Sequence, residues 1–197
     1  GAVILGALAA CCIAVVAMCT VWLQDLPDYN DASAYNYAEK TKVYANDGTT
    51  LLAEFYLENR DPIDLDEMGT YVTKGTVATE DERFYQHNGI DVLGIARAVW
   101  VNVTHTGHEG ASTITQQFVR NTILADEATE STLKRKVREA YIAIKLEESY
   151  SKDEILQMYL NTINYGQGAY GIQAAAQRYY NKDAKDLTIA QAATLIG

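Results

Sequence analysis

The sequence predicts a mainly α-helical domain that follows an N-terminal transmembrane helix and carries one small β-hairpin. Three observations support this prediction. The first 23 residues carry no charged side chain, and about 20 apolar residues suffice to cross a bilayer as a helix. From about residue 71 onward, apolar side chains recur at helical spacing, which indicates helices packed on a core. Strand signals are confined to residues 42–57.

The segment 1–23 is predicted to be the transmembrane helix, and Trp22 near its end suits a membrane interface. A cleaved signal peptide is the alternative, but 23 uncharged residues exceed the usual apolar region of such a peptide. Residues 8–11 also resemble a lipoprotein lipobox. The apolar run continues well past Cys11, which suits a spanning helix better. The segment has no basic flank, so charge does not indicate its orientation.

Residues 24–41 are predicted to be a polar linker, and residues 42–197 the domain. Asp47-Gly48 separates two β-rich runs at 42–45 and 49–57, which favours a tight turn with positive φ. Farther along, Ser151 and Glu154 have the spacing of a helix capping box. The helical spacing is clearest in three sets: Val92, Ile95, Ala96 and Val99; Val137, Ala140, Tyr141 and Ile144; Ile155, Leu156, Tyr159, Leu160 and Ile163. A last helix is predicted from Thr188 to Ile196.

The charge balance excludes one class of partner. The net charge of −10 argues against nucleic-acid binding, because such surfaces are basic. Residues 110–146 reverse the balance, with six basic and four acidic side chains, so they form either an anion site or a solvated helix face. All three cysteines lie in the first 19 residues, which leaves the domain without a disulfide framework or a cysteine zinc site.

The first candidate cluster is EDERFYQHNGID, residues 80–91. Three consecutive acids beside an apolar run are costly to bury unless one of them acts as a base. An acidic helix terminus that complements the macrodipole is the other interpretation. His87 is predicted to be a structural hydrogen-bonding residue, because the sequence contains no HExxH motif.

The second cluster is GASTITQQFVRN, residues 110–121. Its hydroxyls, paired amides and Arg120 suit a sugar diphosphate better than an apolar ligand. A helix start capped by Ser112 or Thr113 is an equally good interpretation.

The third cluster is KRKVRE, residues 134–139. Arg135 and Glu139 are four apart and could simply pair, but four cations in five positions exceed what one pair requires.

Together these clusters resemble a known family. Residues 80–89 resemble the first signature of the peptidoglycan glycosyltransferases of class A penicillin-binding proteins and monofunctional transglycosylases (glycosyltransferase family 51). Residues 110–121 resemble the second, 135–147 the third, and 152–182 the fourth and fifth. The resemblance covers roughly residues 40–197 in order and spacing. Three positions depart from the family pattern. Arg120 stands where the family usually has lysine, and Asn181 stands where it often has glycine. Thr79 replaces the small, alanine-like residue that precedes Glu80.

The resemblance implies a lysozyme-like helical fold with a cleft facing the membrane. It implies that lipid II and the growing glycan strand are the substrates, with Glu80 as general base. Glu139 would be a second catalytic glutamate that orients cations or a divalent ion. The substrate-binding residues would be Ser112, Thr113, Gln117, Arg120, Arg135 and Lys136, with Arg138 as a further candidate cation.

The resemblance also implies a single-pass protein of the bacterial cell membrane with its catalytic domain outside the cytoplasm. It requires no cofactor, leaves the metal ligands undefined, and is compatible with a divalent cation such as Mg²⁺ at the diphosphate. Other cell-wall and division proteins are the macromolecular partners to expect. Two alternatives remain at this point: a lysozyme-like lytic glycan hydrolase, and a membrane-anchored scaffold with a degenerate site.

Overall fold

The computed structural model describes residues 2–30, 41–55, 58–104 and 110–197. Helices dominate these residues, as predicted. The α-helices are α1 (Ala2–Trp22), α2 (Thr70–Glu80), α3 (Val92–Val103), α4 (Ile114–Asn121), α5 (Leu133–Ser149), α6 (Lys152–Thr162), α7 (Ile172–Tyr180) and α8 (Ile189–Ile196). The strands are β1 (Thr41–Tyr44), β2 (Leu51–Phe55), β3 (Asn59–Arg60) and β4 (Ala169–Tyr170).

Helix α1 is apolar around its whole circumference. The stretch Ile4–Trp22 has a mean hydropathy of 2.6, and it is long and apolar enough to cross a membrane by length and composition. A helix with no polar face suits a lipid environment. The chain after α1 turns onto the domain, where Leu26 and Tyr29 pack against the core. The remainder of the predicted linker, residues 31–40, lies outside the described residues.

Strands β1 and β2 form the predicted antiparallel hairpin. Its turn contains Gly48 at a φ of +71°, and Asp47 accepts backbone N–H bonds from Thr49 and Thr50 at 2.9 and 2.8 Å. The Thr50 hydroxyl bond to this carboxylate lowers the pKa of Asp47 to about 2. The second strand is shorter than predicted, because Asp47 holds Thr49 and Thr50 in the turn. Residues 56 and 57, also predicted as strand, lie outside the described residues.

The core is built around α4, which packs against α5 and α6. The apolar side of α6 predicted from spacing is confirmed, and Ser151 caps this helix in a capping box with Glu154. The largest buried side chains of this core include Phe84, Phe118, Ile142, Leu146, Ile155, Leu156, Tyr159 and Leu160. Strands β3 and β4 add a parallel pair of two residues each, outside the predicted hairpin. Two residues are too few for an alternating pattern to reveal a strand.

Helix α3 turns its apolar side outward. Its spacing correctly predicts a helix, but Leu93, Trp100 and Val103 are 68%, 70% and 70% exposed. Its buried residues are the small Gly94 and Ala98. The apolar side of α3 therefore does not cover a core among the described residues.

Helix α5 buries charge as well as apolar side chains. The residues predicted from spacing, such as Val137 and Ile144, are half-buried. The fully buried side includes Arg135, Arg138 and Glu139 besides Ile142, Ala143 and Leu146. Buried charges require partners, and these partners define the site described next.

Candidate active site

A cleft of about 540 Å³ opens beside the end of α2. Glu80 is the last residue of this helix and is half-buried. The macrodipole interpretation of the acidic cluster is therefore wrong, because an acid at a helix C-terminus faces the negative end of the dipole. The cleft is lined by five predicted residues: Glu80, Ser112, Thr113, Gln117 and Arg120.

The Glu80 carboxylate is held by an amide. Gln117 Nε2 donates to Glu80 Oε2 at 2.8 Å, and the Tyr159 hydroxyl donates to Gln117 Oε1 at 3.0 Å. Burial, and then the charge of Glu80, raise the pKa of Tyr159, whereas the Arg120 cation lowers it. The net effect is upward, so the phenol keeps its proton and remains a donor. One oxygen of Glu80 is thus fixed by Gln117, while Oε1 can still accept a proton.

Asp81 joins the two sequence clusters that form the cleft. Its carboxylate lies 2.9 Å from His87 Nε2, and its Oδ2 accepts the backbone N–H of Ile114 at 3.1 Å. Both side chains of the Asp81–His87 pair are almost fully buried. The prediction that His87 is a structural hydrogen-bonding residue is confirmed. Because Ile114 begins α4, this contact also sets where Gln117 lies relative to Glu80.

Thr113, rather than Ser112, caps α4. Its hydroxyl accepts the backbone N–H of Gln116 at 3.1 Å and donates to the carbonyl of Gly89 at 2.7 Å. Thr113 Oγ1 would have to leave Gly89 to donate to a substrate. Ser112 lies half-buried at the cleft wall, where its Oγ accepts a bond from Lys136 Nζ at 2.9 Å. This bond leaves the Ser112 proton for another acceptor.

Gly89 brings the first cluster directly against α5. It has a φ of +83°, a conformation that L side chains rarely adopt. A Cβ atom there would lie 2.7 Å from the backbone of Ala143 and Ile144. Only glycine permits this approach, which brings the loop after Glu80 against the backbone of the helix that carries the third cluster.

Glu139 lies behind the cleft wall with no exposed surface. Arg135 Nη1 bonds to its Oε1, and Lys136 Nζ lies 3.1 Å from its Oε2. The pairing of Arg135 with Glu139, left open by the sequence, is therefore present. Arg135 also donates to the carbonyl of Glu130 and is almost fully buried. Lys136 keeps 41% of its side chain exposed and links Glu139 to Ser112 at the cleft.

One cation does not lie where the sequence suggested, and another was not considered. Arg138, considered as a further donor-site cation, extends away from Glu139 and contacts the end of α1. Its position two residues from Lys136 puts it on nearly the opposite side of the helix. Conversely, Arg97 lines the cleft although sequence reasoning gave it no role. Helical spacing accounts for this position, because Arg97 follows Gly94, which also lines the cleft, by three residues and so shares its side of α3.

Residues 47–197 match the Transglycosylase family. The chain belongs to this family. Penicillin-binding protein 2D of Bacillus subtilis is 44% identical over 196 residues, which is 99% of the chain and 28% of that protein. Penicillin-binding protein 1A of Rickettsia felis is 40% identical over 174 residues, 86% of the chain and 22% of the relative. Penicillin-binding protein 1A of Vibrio cholerae is 42% identical over 174 residues, which is 88% of the chain and 21% of that protein.

The chain thus spans between a fifth and a third of the length of these relatives. One departure from the transglycosylase pattern has a simple structural account. Asn181 ends α7 with φ +52° and ψ +46°, the left-handed conformation for which glycine is favoured. Asparagine is the side-chain-bearing residue that tolerates this conformation best, so the substitution keeps the helix end.

The described residues offer no obvious metal site. Among them, no group of three or more His, Cys, Asp or Glu side chains could hold a metal ion. Glu139, the acid nearest the cations of α5, already has Arg135 and Lys136 on its two oxygens. A divalent ion at this carboxylate would compete with these cations, whereas a divalent ion at the diphosphate, whose oxygens supply ligands of their own, stays a prediction.

Proposed function

We propose that the chain polymerises lipid II into β-1,4-linked peptidoglycan strands and releases undecaprenyl diphosphate. The observation that carries the proposal is the Glu80 carboxylate, fixed by Gln117 in a cleft that Arg120 also lines. Membership of the transglycosylase family supports the same reaction class. The relatives are penicillin-binding proteins, which supports peptidoglycan as the product.

In the proposed mechanism, Glu80 acts as general base. It takes the proton from the 4-hydroxyl of the acceptor's N-acetylglucosamine while that oxygen attacks the anomeric carbon of the donor. Attack opposite the diphosphate inverts this centre and converts an α-linked donor into a β-linked product. Because Gln117 bonds only to Oε2, Oε1 remains to receive the proton. General base catalysis contributes roughly 10²–10⁴-fold.

The leaving group requires charge neutralisation. Diphosphate departs as a stable anion, so cations stabilise the transition state without donating a proton. Arg120 lines the cleft, and Lys136 reaches its wall through Ser112. We assign these two cations to the diphosphate. Glu139 and Arg135 hold Lys136 in place from behind.

A lytic hydrolase fits the geometry less well. Such an enzyme protonates an alkoxide leaving group and therefore uses a second carboxylic acid beside the scissile bond. Glu139 was the candidate, but it has no exposed surface and both its oxygens are bonded to cations. A carboxylate so enclosed cannot reach a glycan without rearrangement of α5.

The proposed location is the bacterial cell membrane, with α1 as a single-pass anchor and the domain on the extracytoplasmic face. The apolar helix Ile4–Trp22 supports the anchor. The exposed apolar side of α3, with Leu93 and Trp100, supports a domain that rests on the bilayer. A lipid-linked donor would then reach the cleft without leaving the membrane. Other cell-wall and division proteins are the partners we expect there.

The test is product analysis with purified lipid II, using the full chain in detergent. We expect polymer and undecaprenyl diphosphate from the parent protein. Glu80→Gln should lower the rate at least about 10²-fold, whereas Glu148→Gln, an exposed acid on the far end of α5, should not. Shortened glycan would instead identify a hydrolase, and absence of turnover by a folded parent would identify a scaffold. Near-normal polymerisation by Glu80→Gln would remove Glu80 from the mechanism.

A further inference from the structure

Arg138 connects the membrane helix to the domain. Its Nη1 donates to the carbonyl of Trp22 at 3.1 Å, and its Nη2 donates to the carbonyl of Asp25 at 3.0 Å. Nη2 also lies 2.9 Å from a carboxylate oxygen of Glu127. The Arg138 side chain is only 5% exposed. One buried guanidinium therefore joins α5 to the end of α1, more than 110 residues away, and to the turn after α4.

These contacts match the chemistry of a helix end. Trp22 is the last residue of α1, and the final carbonyls of a helix have no partner within it. A cation there satisfies them and complements the negative end of the helix dipole. The charge of Arg138 is in turn balanced by Glu127, which makes burial of the guanidinium tolerable. Arg138 thus caps α1 from another part of the fold.

A second contact joins the same two segments. The ring of Tyr29 packs edge-on against that of Tyr141, with centroids 6.4 Å apart. Tyr141 follows Arg138 by three residues and lies on the same side of α5. Leu26 also packs against the domain core. The chain from Trp22 to Tyr29 therefore lies along α5 and is held at both ends.

We propose that Arg138 is a positioning residue that fixes the membrane helix to α5, so that the cleft is held at a set height and tilt over the bilayer. Lys136 lies on nearly the opposite side of the same helix, about 200° around it. A rigid α5 thereby transmits the position of the anchor to the cation that faces the diphosphate. This inference rests on the proposed function, because height over the membrane matters only for a lipid-borne substrate.

The experiment compares two substrates with the full chain in liposomes. One is lipid II embedded in the same bilayer, and the other is a short-chain, water-soluble lipid II analogue. Arg138→Gln should lose about tenfold or more on the embedded substrate, since misplacement by about 1 Å can cost 10²-fold. It should lose less than about twofold on the soluble one, whose approach does not depend on the anchor. Amide hydrogen exchange of residues 23–29 should become faster.

Lys134→Gln is the matched control, because it removes an exposed cation from the same helix. It should leave both rates and the exchange unchanged. Arg138→Lys keeps the charge but not the two-pronged geometry, and should recover part of the loss on the embedded substrate. If Arg138→Gln lowers both rates equally, or leaves the exchange of residues 23–29 unchanged, the positioning role is wrong.

A second variant covers the case in which Arg138→Gln does not fold. It disturbs the contact between residues 22–29 and α5 by a change in residues 22–29 instead of in α5. Tyr29→Leu removes the ring contact with Tyr141 and leaves no buried charge unpaired. Tyr29→Leu should likewise lose more rate on the embedded lipid II than on the soluble analogue. An equal loss of rate on the two substrates would overturn the proposal. A parent protein inactive on both substrates would refute the proposed function, while the exchange measurement would still test the attachment of α1.

Discussion

Tyr159 donates its phenolic proton to the amide oxygen of Gln117, and this bond determines which way round that amide lies. The NH₂ group is consequently directed at Glu80. Without the phenol, rotation of the amide would direct its oxygen at the carboxylate, and two acceptors would repel each other. Tyr159 therefore influences Glu80, the proposed base, without contacting it.

We expect Tyr159→Phe to reduce polymerisation of lipid II about fivefold, the equivalent of one neutral hydrogen bond of about 1 kcal/mol lost from the site. The change keeps the ring and its packing, so the melting temperature should fall only slightly. Tyr85→Phe is the control, because it also removes a phenol bond, the exposed one to Asp153. An unchanged rate for Tyr159→Phe would show that Gln117 keeps its orientation without help.

Lys136→Ala and Arg135→Ala should have different effects, although the residues are neighbours. Lys136 is partly exposed and bonds to Ser112, which lines the cleft. Its removal should therefore slow turnover roughly ten- to a hundredfold, the equivalent of a charged hydrogen bond of about 1.5–3 kcal/mol. The fold should remain intact. Arg135 is buried against Glu139, and breaking a buried pair costs about 3–5 kcal/mol of stability.

Initial rates on lipid II and thermal melting of both variants measure this difference. Binding of a diphosphate-free glycan gives the control, because Lys136→Ala should weaken it less than binding of the lipid diphosphate donor. Equal weakening of both ligands would make Lys136 a general structural residue. A fully stable Arg135→Ala protein would show that Glu139 finds another partner.

Arg120→Lys should preserve activity, whereas Arg120→Ala should lose roughly ten- to a hundredfold in rate. Arg120 lines the cleft on the last turn of α4, and a diphosphate requires a cation that either side chain can supply. Initial polymerisation rates, with melting curves to confirm folding, measure both. If Arg120→Ala is as fast as the parent, Arg120 does not contact the donor. If Arg120→Lys is inactive, the bidentate geometry of arginine is what the site uses.

Asp91 should make the fold sensitive to acid. Burial alone would raise its pKa, but bonds from the Gly94 backbone and Arg83 outweigh burial and hold the pKa below its usual value. The carboxylate therefore stabilises the fold above the unfolded value of about 3.9, and this contribution is lost as the pH falls through the folded pKa.

Asp91→Asn should lower the melting temperature at pH of about 6, because the ion pair with Arg83 and part of the cap of α3 are lost. The difference from the parent should shrink as the pH falls below the unfolded value of about 3.9 and through the lower folded pKa, because the parent carboxylate is then protonated too. Glu148→Gln is the exposed control and should show neither effect. A difference that stays constant with pH would mean that the charge of Asp91 contributes nothing.

Local signals in the sequence predicted the elements well. The Ser151–Glu154 capping box and the apolar side of α6 depend on residues three or four apart, and both are present. The apolar spacing of α3 likewise predicted a helix, but it could not tell which side would be buried, because lipid and protein core select the same side chains. Its outward orientation depends on how the helix packs.

The candidate site was likewise predictable from the sequence only in part. The resemblance selected Glu80 and Gln117, 37 residues apart, and the structure brings them together. The contacts of Arg138 reach back 116 and 113 residues and leave no periodic trace in the sequence. A charge cluster predicts that cations are needed, but tertiary packing decides which of them contacts substrate, counterion or helix end.

The contact of Gly89 with the backbone of α5 affects how inactive variants should be interpreted. Main chain meets main chain there, so no side chain can be shortened to absorb an added methyl group. Gly89→Ala would push the loop after Glu80 away from α5. An activity screen would then group this variant with substitutions of Glu80, although Gly89 contacts none of the proposed reacting atoms. The two kinds of defect separate by rescue: a compensating change elsewhere can restore a displaced loop, but it cannot restore a missing carboxylate.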